Sequence, residues 1–410
     1  MSRTPAPAFL ALVAGLLGAA PILGEVRSAQ VVQEGTDFAR GRFDPGISLR
    51  GGNLRALRDA SFESSVLDAG LTFSAIGPHW QGAAHAALEL SVSPDGVRWG
   101  GWIAVPREGE IGETCEDGTP NPFSGDSLGA LVFVAPNTRF VRYRVQLPET
   151  PSGEAGLGRV AFHVIDPGTG PELPIAGRHG MEPGETALVR PAVAGRAGRR
   201  ASAPPPEIPN PVPGAGKPPI SLRATWGARP PKTGYTYTLA AHLAFHHTAT
   251  VEDWSATTWD ECAARVRTIQ TYHMDTNGWN DLGYAYVICK HGDVFQARED
   301  DDDATDVQGA HDGFNRGSAG ISLLGYFHPP VDHQPTGAQV SSLVDLMAWI
   351  AGRRGIDPLG RSLYDAFGAP VDNLYGHREV KATDCPGDHL FALKEIIRTS
   401  VSDRLLRMPL

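Results

Sequence analysis

A proline-rich segment near the middle of the chain limits its fold more than any other feature. The stretch "ASAPPPEIPNPVPGAGKPP", residues 201–219, cannot continue a helix or form a central strand, because proline has no backbone N–H and a fixed φ angle. It also offers too few apolar side chains to build a core. We interpret residues 167–219 as an extended linker, so the chain is predicted to be multi-domain, with one folded part on each side.

The part that precedes this linker, residues 30–165, has the pattern of an all-β domain. Runs such as "LTFSAIG", "AALELSVS" and "RFVRYRVQL" carry branched and aromatic residues, and turn signals separate them. Asp95 and Gly96 lie between two such runs, as in a hairpin. The spacing predicts an N-terminal β-sandwich. One hypothesis is that this domain targets the protein to the cell wall through tryptophans that stack on sugar rings. The candidates are Trp80, Trp99 and Trp102. Core packing is the commoner role of such residues.

The part that follows the linker, residues 220–400, mixes helical and strand patterns. "HLAFHH" is typical of a buried strand, and "YAYVICKHGDVFQAR" of two strands joined by a tight turn. Thr258 and Glu261 form a capping box that predicts the start of one helix, and Thr336 begins another that closes near Gly355. "HLFALKEIIRTSV" predicts a final helix. The alternation predicts a C-terminal α/β domain with a central mixed sheet flanked by helices.

Charge and the N-terminus restrict partners and location. A net charge of −10 provides no basic face, which excludes nucleic acid as a partner. Arg3, the apolar run Phe9–Leu17 and the small residues after it predict a signal peptide over residues 1–24. The chain is therefore expected to be secreted or periplasmic, with no integral membrane span in the mature chain. A retained anchor is the alternative, but the run is short for crossing a bilayer.

Three residues have the chemistry of a metal centre. His377 and Cys385 lie within "YGHREVKATDCPGD", residues 375–388, and a loop that doubles back can bring both to one ion. Imidazole nitrogen and thiolate sulfur are good zinc ligands, and His246 can supply a third from the end of a buried strand. Three protein ligands leave one position open, as in catalytic zinc sites. The alternative is a core histidine and an unrelated cysteine.

Five motifs in order resemble a known family. They are "RATWGARPP", "FHHTAT", "RTIQTYHMDTNGWNDLGYAYVICKHGDVFQAR", "GAHDGFNRGSAGISLLGYF" and "GHREVKATDCPG". Together they resemble the peptidoglycan recognition protein and type 2 N-acetylmuramoyl-L-alanine amidase family, over the stretch from about Ser221 to Ile397. Five motifs in register are far more specific than any one of them.

This resemblance implies roles for individual residues. It implies that Zn²⁺ is bound by His246, His377 and Cys385, and that His247 packs instead. Tyr284, in "DLGY", and Thr383 match catalytic positions whose hydroxyl groups donate hydrogen bonds to a developing oxyanion. The sequence identifies no general acid beyond Tyr284 and the metal-bound group.

The activity implied is zinc-dependent hydrolysis of the amide between N-acetylmuramic acid and L-alanine, in peptidoglycan or a muropeptide. A non-catalytic peptidoglycan-binding recognition protein is the alternative, and a zinc peptidase acting within the stem peptide is a third interpretation. His311 and Asn315, in "QGAHDGFNRGS", are the candidates for substrate binding. A loop histidine held by backbone carbonyls is the other explanation of His311.

The resemblance also bears on the cysteines. Cys262 matches a helix cysteine that, in animal relatives, pairs with a cysteine shortly after the histidine pair. This chain has Val251, Glu252 and Asp253 in that region, so that disulfide is absent. Cys289 is the nearby substitute as a partner for Cys262, which leaves Cys115 alone.

Overall fold

The structure is a computed structural model that describes residues 25–150, 156–170, 216–252, 255–298, 305–310 and 313–406. The predicted signal peptide and most of the predicted linker lie outside these ranges. Within them, no helix is both long and apolar enough to cross a membrane.

The N-terminal region is rich in β-structure, as predicted. Its strands are β1 Arg27–Glu34, β2 Arg42–Phe43, β3 Ile47–Arg50, β4 Asn53–Ala56, β5 Ala60–Glu63, β6 Leu67–Gln81, β7 Ala87–Ser93, β8 Ile103–Val105, β9 Arg107–Glu110, β10 Ser127–Gly129, β11 Val132–Leu147 and β12 Arg159–Asp166. Most of them join one continuous hydrogen-bonded sheet. The two long strands β6 and β11 connect it, because each pairs with several neighbours along its length.

The tryptophans of this region take different places. Trp80 is a buried core residue, which removes it from the candidates for sugar binding. Trp99 and Trp102 are half-buried, and the Arg142 guanidinium lies 4.6 and 4.9 Å from the centres of their rings. Arg144 also lies over Trp102, at 4.6 Å. These cations cover ring surface that a sugar would need.

The C-terminal region alternates helices and strands. In chain order its elements are α1 Arg223–Trp226, β13 Tyr237–Thr238, β14 His242–His247, β15 Val251–Glu252, α2 Trp259–Asp275, β16 Tyr286–Ile288, β17 Val294–Gln296, β18 Asp306–Val307, β19 Ser318–Leu323, α3 Gly337–Arg354, β20 Arg361–Tyr364, β21 Ala369–Asp372, β22 Leu374–Gly376, α4 Asp388–Phe391 and α5 Lys394–Leu406. Five strands form a sheet in the order β17-β16-β19-β14-β22. Its neighbours are parallel except β16 and β17.

Helices cover both faces of this sheet. Because side chains alternate along a strand, Val287 packs in the cluster that contains α2, while its neighbour Ile288 packs in the cluster that contains α3 and α5. Cys262 of α2 is bonded to Cys289 next to β16, as expected. This disulfide ties the helix to the sheet that it covers.

Capping residues set the ends of the helices. The Thr258 hydroxyl and the Glu261 carboxylate form the predicted capping box of α2. The N-terminus of α3 is capped in the same way by Thr336 and Gln339, and the helix ends at Gly355, whose φ is +64°. The predicted final helix is wrong in one respect: it is divided into α4 and α5. Between the two helices, the N–H of Leu393 donates to the carbonyl of Leu390, which is three residues earlier as in a 3₁₀ turn.

The two regions share a hydrophobic core. Phe133 and Ile165 of the N-terminal region pack in one buried cluster with Val266 and Ile269 of α2, and β11 pairs in parallel with β15. Pro167, at the start of the predicted linker, accepts a hydrogen bond from Arg267 of α2 at 2.9 Å. The β-rich region is therefore packed directly onto the α/β region.

The contact surface between the N-terminal, β-rich region and the C-terminal, α/β region is called the seam below. Close packing and charge both contribute to it. Gly77 of β6 approaches the Tyr272 ring so closely that a Cβ at Gly77 would lie 2.1 Å from a ring carbon. The buried Arg298 guanidinium donates to both oxygens of Glu116, at 2.8 and 2.6 Å. A cleft opens at the edge of this seam.

Candidate active site

Three candidate ligands meet at one edge of the five-stranded sheet. His246 lies near the end of β14, and His377 directly follows β22, which is the parallel neighbour of β14. Parallel strands bring their carboxyl ends to the same edge, so the two imidazoles become neighbours, with ring centres 4.7 Å apart. Cys385, from the loop before α4, places Sγ 3.5 Å from Nδ1 of His246. All three ligand atoms lie within 4.8 Å of one another.

The loop that carries Cys385 is held by several hydrogen bonds. The N–H of Arg378 donates to the carbonyl of Cys385 at 2.9 Å, and the Arg378 guanidinium donates to Asp388 at 2.7 Å. The Thr383 hydroxyl accepts from the N–H of Cys385 at 3.2 Å. The sulfur is thus positioned by a folded loop, not by a helix or a strand.

The donor set fits a zinc ion. Tetrahedral zinc with Zn–N of about 2.0–2.1 Å and Zn–S of about 2.3 Å separates its nitrogen and sulfur ligands by roughly 3.5 Å, which matches the distance between His246 and Cys385. Burial lowers the pKa of His377 to about 4, which keeps its imidazole neutral, as metal binding requires. Burial raises the pKa of Cys385 to about 12, so the thiolate needs a cation beside it.

Tyr284 and His247 lie beside these three residues. The Tyr284 ring centre is 5.5 Å from that of His246, and its hydroxyl donates to the carbonyl of His247 at 3.4 Å. Burial raises the pKa of Tyr284, so this phenol stays protonated at neutral pH. His247 is buried against Tyr326 and Phe327, and burial lowers its pKa to about 3. Its surroundings are those of a packing residue.

The three candidate ligands line a cleft of about 430 Å³. Tyr284 and Thr383 line the same cleft. Asn315 is half-buried in the turn before β19 and is not among the described residues that line the cleft. His311 lies outside the described residues.

One wall of the cleft was not expected from the sequence. It comes from the β-rich region and consists of Arg107 and Glu108 of β9 together with residues 128–131. Nothing in the local sequence around Glu108 signals this position, because it follows from the packing of two regions that are far apart in the chain.

Comparison with known proteins identifies the family. Residues 238–388 match the family described as N-acetylmuramoyl-L-alanine amidase. The human N-acetylmuramoyl-L-alanine amidase is 35% identical over 182 residues, which are 43% of this chain and 28% of that protein. Peptidoglycan-recognition protein SC2 of Drosophila simulans is 33% identical over 178 residues, which are 42% of this chain and 82% of that protein. The chain belongs to the peptidoglycan recognition protein and amidase family.

The family relationship concerns the C-terminal region. The chain spans 28% of the length of the human amidase. Among solved structures, Drosophila PGRP-LB is 29% identical, over 42% of this chain and 91% of that chain, with a TM-score of 0.35. The residues matched to the family include the three candidate ligands and Tyr284.

Proposed function

We propose that this protein is an exported, zinc-dependent N-acetylmuramoyl-L-alanine amidase that acts on peptidoglycan or muropeptides. The convergence of His246, His377 and Cys385 within 4.8 Å at the cleft carries the proposal. The names of the human and Drosophila relatives support the substrate class and the reaction. Export depends on the predicted signal peptide, which lies outside the described residues.

The zinc ion would be held by the three residues of the proposed centre. When bound, zinc would activate a water molecule as the nucleophile and would polarise the scissile carbonyl. The hydroxyl groups of Tyr284 and Thr383 would donate hydrogen bonds to the developing oxyanion. Tyr284 keeps its proton because burial raises its pKa, and it would turn this proton from the carbonyl of His247 to the oxyanion. Thr383 accepts from the backbone of Cys385 through its oxygen, which leaves its own proton free to donate.

Product analysis tests the activity directly. Purified protein incubated with a defined muropeptide should release a stem peptide that begins with L-alanine, together with free N-acetylmuramic acid. Mass spectrometry distinguishes this result from cleavage within the stem peptide, which would leave L-alanine on the sugar and contradict the proposal. Binding without turnover, at full zinc occupancy, would instead indicate a recognition protein.

A pair of cysteine variants tests the metal centre. Cys385→Ser should fold, lose stoichiometric zinc and lose turnover. Cys115→Ser is the matched control, because Cys115 is the other free cysteine of the described residues and lies outside the three-residue cluster. Elemental analysis of both variants reports metal content independently of activity. Normal zinc content and normal turnover in Cys385→Ser would refute the proposed centre.

A further inference from the structure

The wall of the cleft that comes from the β-rich region is held by strand pairing and by a hydrogen bond to α2. β9 pairs with β10, and β10 pairs with the long strand β6. The Tyr272 hydroxyl of α2 donates to the carbonyl of Gly129 at the end of β10, at 3.3 Å. Arg107 and Glu108 therefore belong to a sheet that is bonded to α2, whose residues Tyr272 and His273 line the same cleft.

Glu108 is oriented by a residue of the α/β region. The Tyr326 hydroxyl donates a hydrogen bond to its carboxylate. Tyr326 itself is buried, so this contact crosses the seam from a fixed position. Burial is the main cause of the raised pKa of Tyr284 and of Cys385, and the Glu108 carboxylate adds to both. Its charge therefore acts on the proposed reaction centre.

The state of the Glu108 carboxyl suits proton transfer. Burial raises the pKa of this carboxyl to about 7; the Tyr326 hydroxyl opposes the shift, and the Asp384 carboxylate adds to it. Glu108 nevertheless lines the cleft and keeps part of its surface accessible to water. A carboxyl group that is reachable from the cleft and half-protonated near neutral pH can both accept and donate a proton.

Hydrolysis of an amide requires such a group. A proton leaves the attacking water, and the departing nitrogen must gain one. Among the described residues that line the cleft, Glu108 and Asp384 carry the carboxyl groups. When two carboxyl groups lie close together, one of them holds its proton more tightly. The Asp384 carboxylate adds to the raised pKa of Glu108, and the Tyr326 hydroxyl donates to the Glu108 carboxylate.

We propose that Glu108, supplied by the β-rich region, is a catalytic residue of the amidase cleft. Its carboxylate accepts a proton from the attacking water as the new carbon–oxygen bond forms at the scissile carbonyl. The resulting carboxylic acid gives that proton to the amide nitrogen as the carbon–nitrogen bond breaks. The products are a lactyl carboxylic acid and the free amine of L-alanine. This inference rests on the proposed amidase function.

Steady-state kinetics on a muropeptide test the assignment. Glu108→Gln should lower kcat roughly 100-fold or more, the usual range for loss of a general acid–base, with KM, zinc content and melting temperature unchanged. Glu113→Gln is the matched control, because Glu113 is an exposed glutamate of the same region and does not line the cleft. A kcat for Glu108→Gln within about threefold of wild type would overturn the inference.

Chemical rescue separates catalysis from structure. Added formate should restore part of the lost kcat of Glu108→Ala, since a small carboxylate can enter the vacated space, whereas a merely structural loss would not respond. Absence of any recovery would count against Glu108. Asp384→Asn tests the rival carboxyl: a 100-fold loss there, with Glu108→Gln active, would move the role to Asp384.

Binding provides a readout that is independent of turnover. In the Cys385→Ser background, the muropeptide Kd should be the same with and without Glu108→Gln. Weakening of tenfold or more, with kcat retained in the otherwise unaltered protein, would make Glu108 a binding residue and overturn the proton-transfer role. If the unaltered protein has no turnover, the amidase proposal itself fails. An active protein with an active Glu108→Gln variant refutes the role of Glu108 alone.

Discussion

Zinc binding to the proposed centre should release one proton near neutral pH. Burial raises the pKa of Cys385 to about 12 and lowers that of His377 to about 4. An imidazole at its ordinary pKa of about 6.5 is also neutral above roughly pH 7.5. The thiol must therefore lose its proton when zinc binds, and the imidazoles need not.

The proton that the Cys385 thiol loses determines both the sign and the size of the pH dependence of zinc affinity. A rise in pH removes the proton that competes with zinc for the sulfur, so binding becomes tighter. With one proton displaced, the apparent Kd for zinc should fall about tenfold per pH unit between roughly pH 7.5 and 8.5. The slope would continue to higher pH because the thiol stays protonated there in the absence of the metal.

Competition against a chromophoric chelator measures this slope on zinc-depleted protein. Calorimetry in buffers with different ionisation enthalpies counts the released proton directly. Cys385→Ser should lose both the slope and most of the affinity, and Cys115→Ser should keep them. A pH-independent Kd in the unaltered protein, or the same slope in Cys385→Ser, would show that this thiol is not the protonated ligand.

Three further predictions concern stability, each measured by urea unfolding. Thr258→Ala should cost about 1 kcal/mol through loss of the α2 cap; an unchanged midpoint would mean that the cap is not needed. Gly77→Ala should cost about 1–3 kcal/mol, because the new methyl would meet the Tyr272 ring, and shortening Tyr272 should relieve it. Glu116→Gln should cost about 1–3 kcal/mol by removing the charged acceptor of the buried Arg298; a gain in stability would contradict this.

The parts of the fold that depend on neighbouring residues are visible in the sequence. The start of α2 follows from Thr258 and Glu261, three residues apart, because a capping box is a local structure. The pairing of Cys262 with Cys289 could be anticipated once no cysteine was found after the histidine pair. The division of the last helix could not be anticipated, because it depends on one local turn, in which the N–H of Leu393 bonds to the carbonyl three residues earlier.

No short stretch of the sequence indicates that the two regions pack against each other. Phe133 fits a strand pattern and Val266 fits a helix pattern, but neither pattern tells which partner covers it. The proline-rich segment favours two independent domains, since extended linkers usually join parts that move separately. Glu108 could not be recognised for the same reason: it is an ordinary charged residue until the α/β region is packed against its strand.

This packing changes how a wall-targeting role of the β-rich region must be tested. Deleting residues 30–165 would expose the apolar face of α2 around Ile269 and would remove Glu108 from the cleft. Loss of activity or solubility in that variant would therefore report damage to the shared core. Substituting Trp99 and Trp102 is the sharper test, because both are half-buried and neither lines the cleft. Binding to insoluble peptidoglycan that drops in those variants, with muropeptide turnover intact, would separate targeting from catalysis.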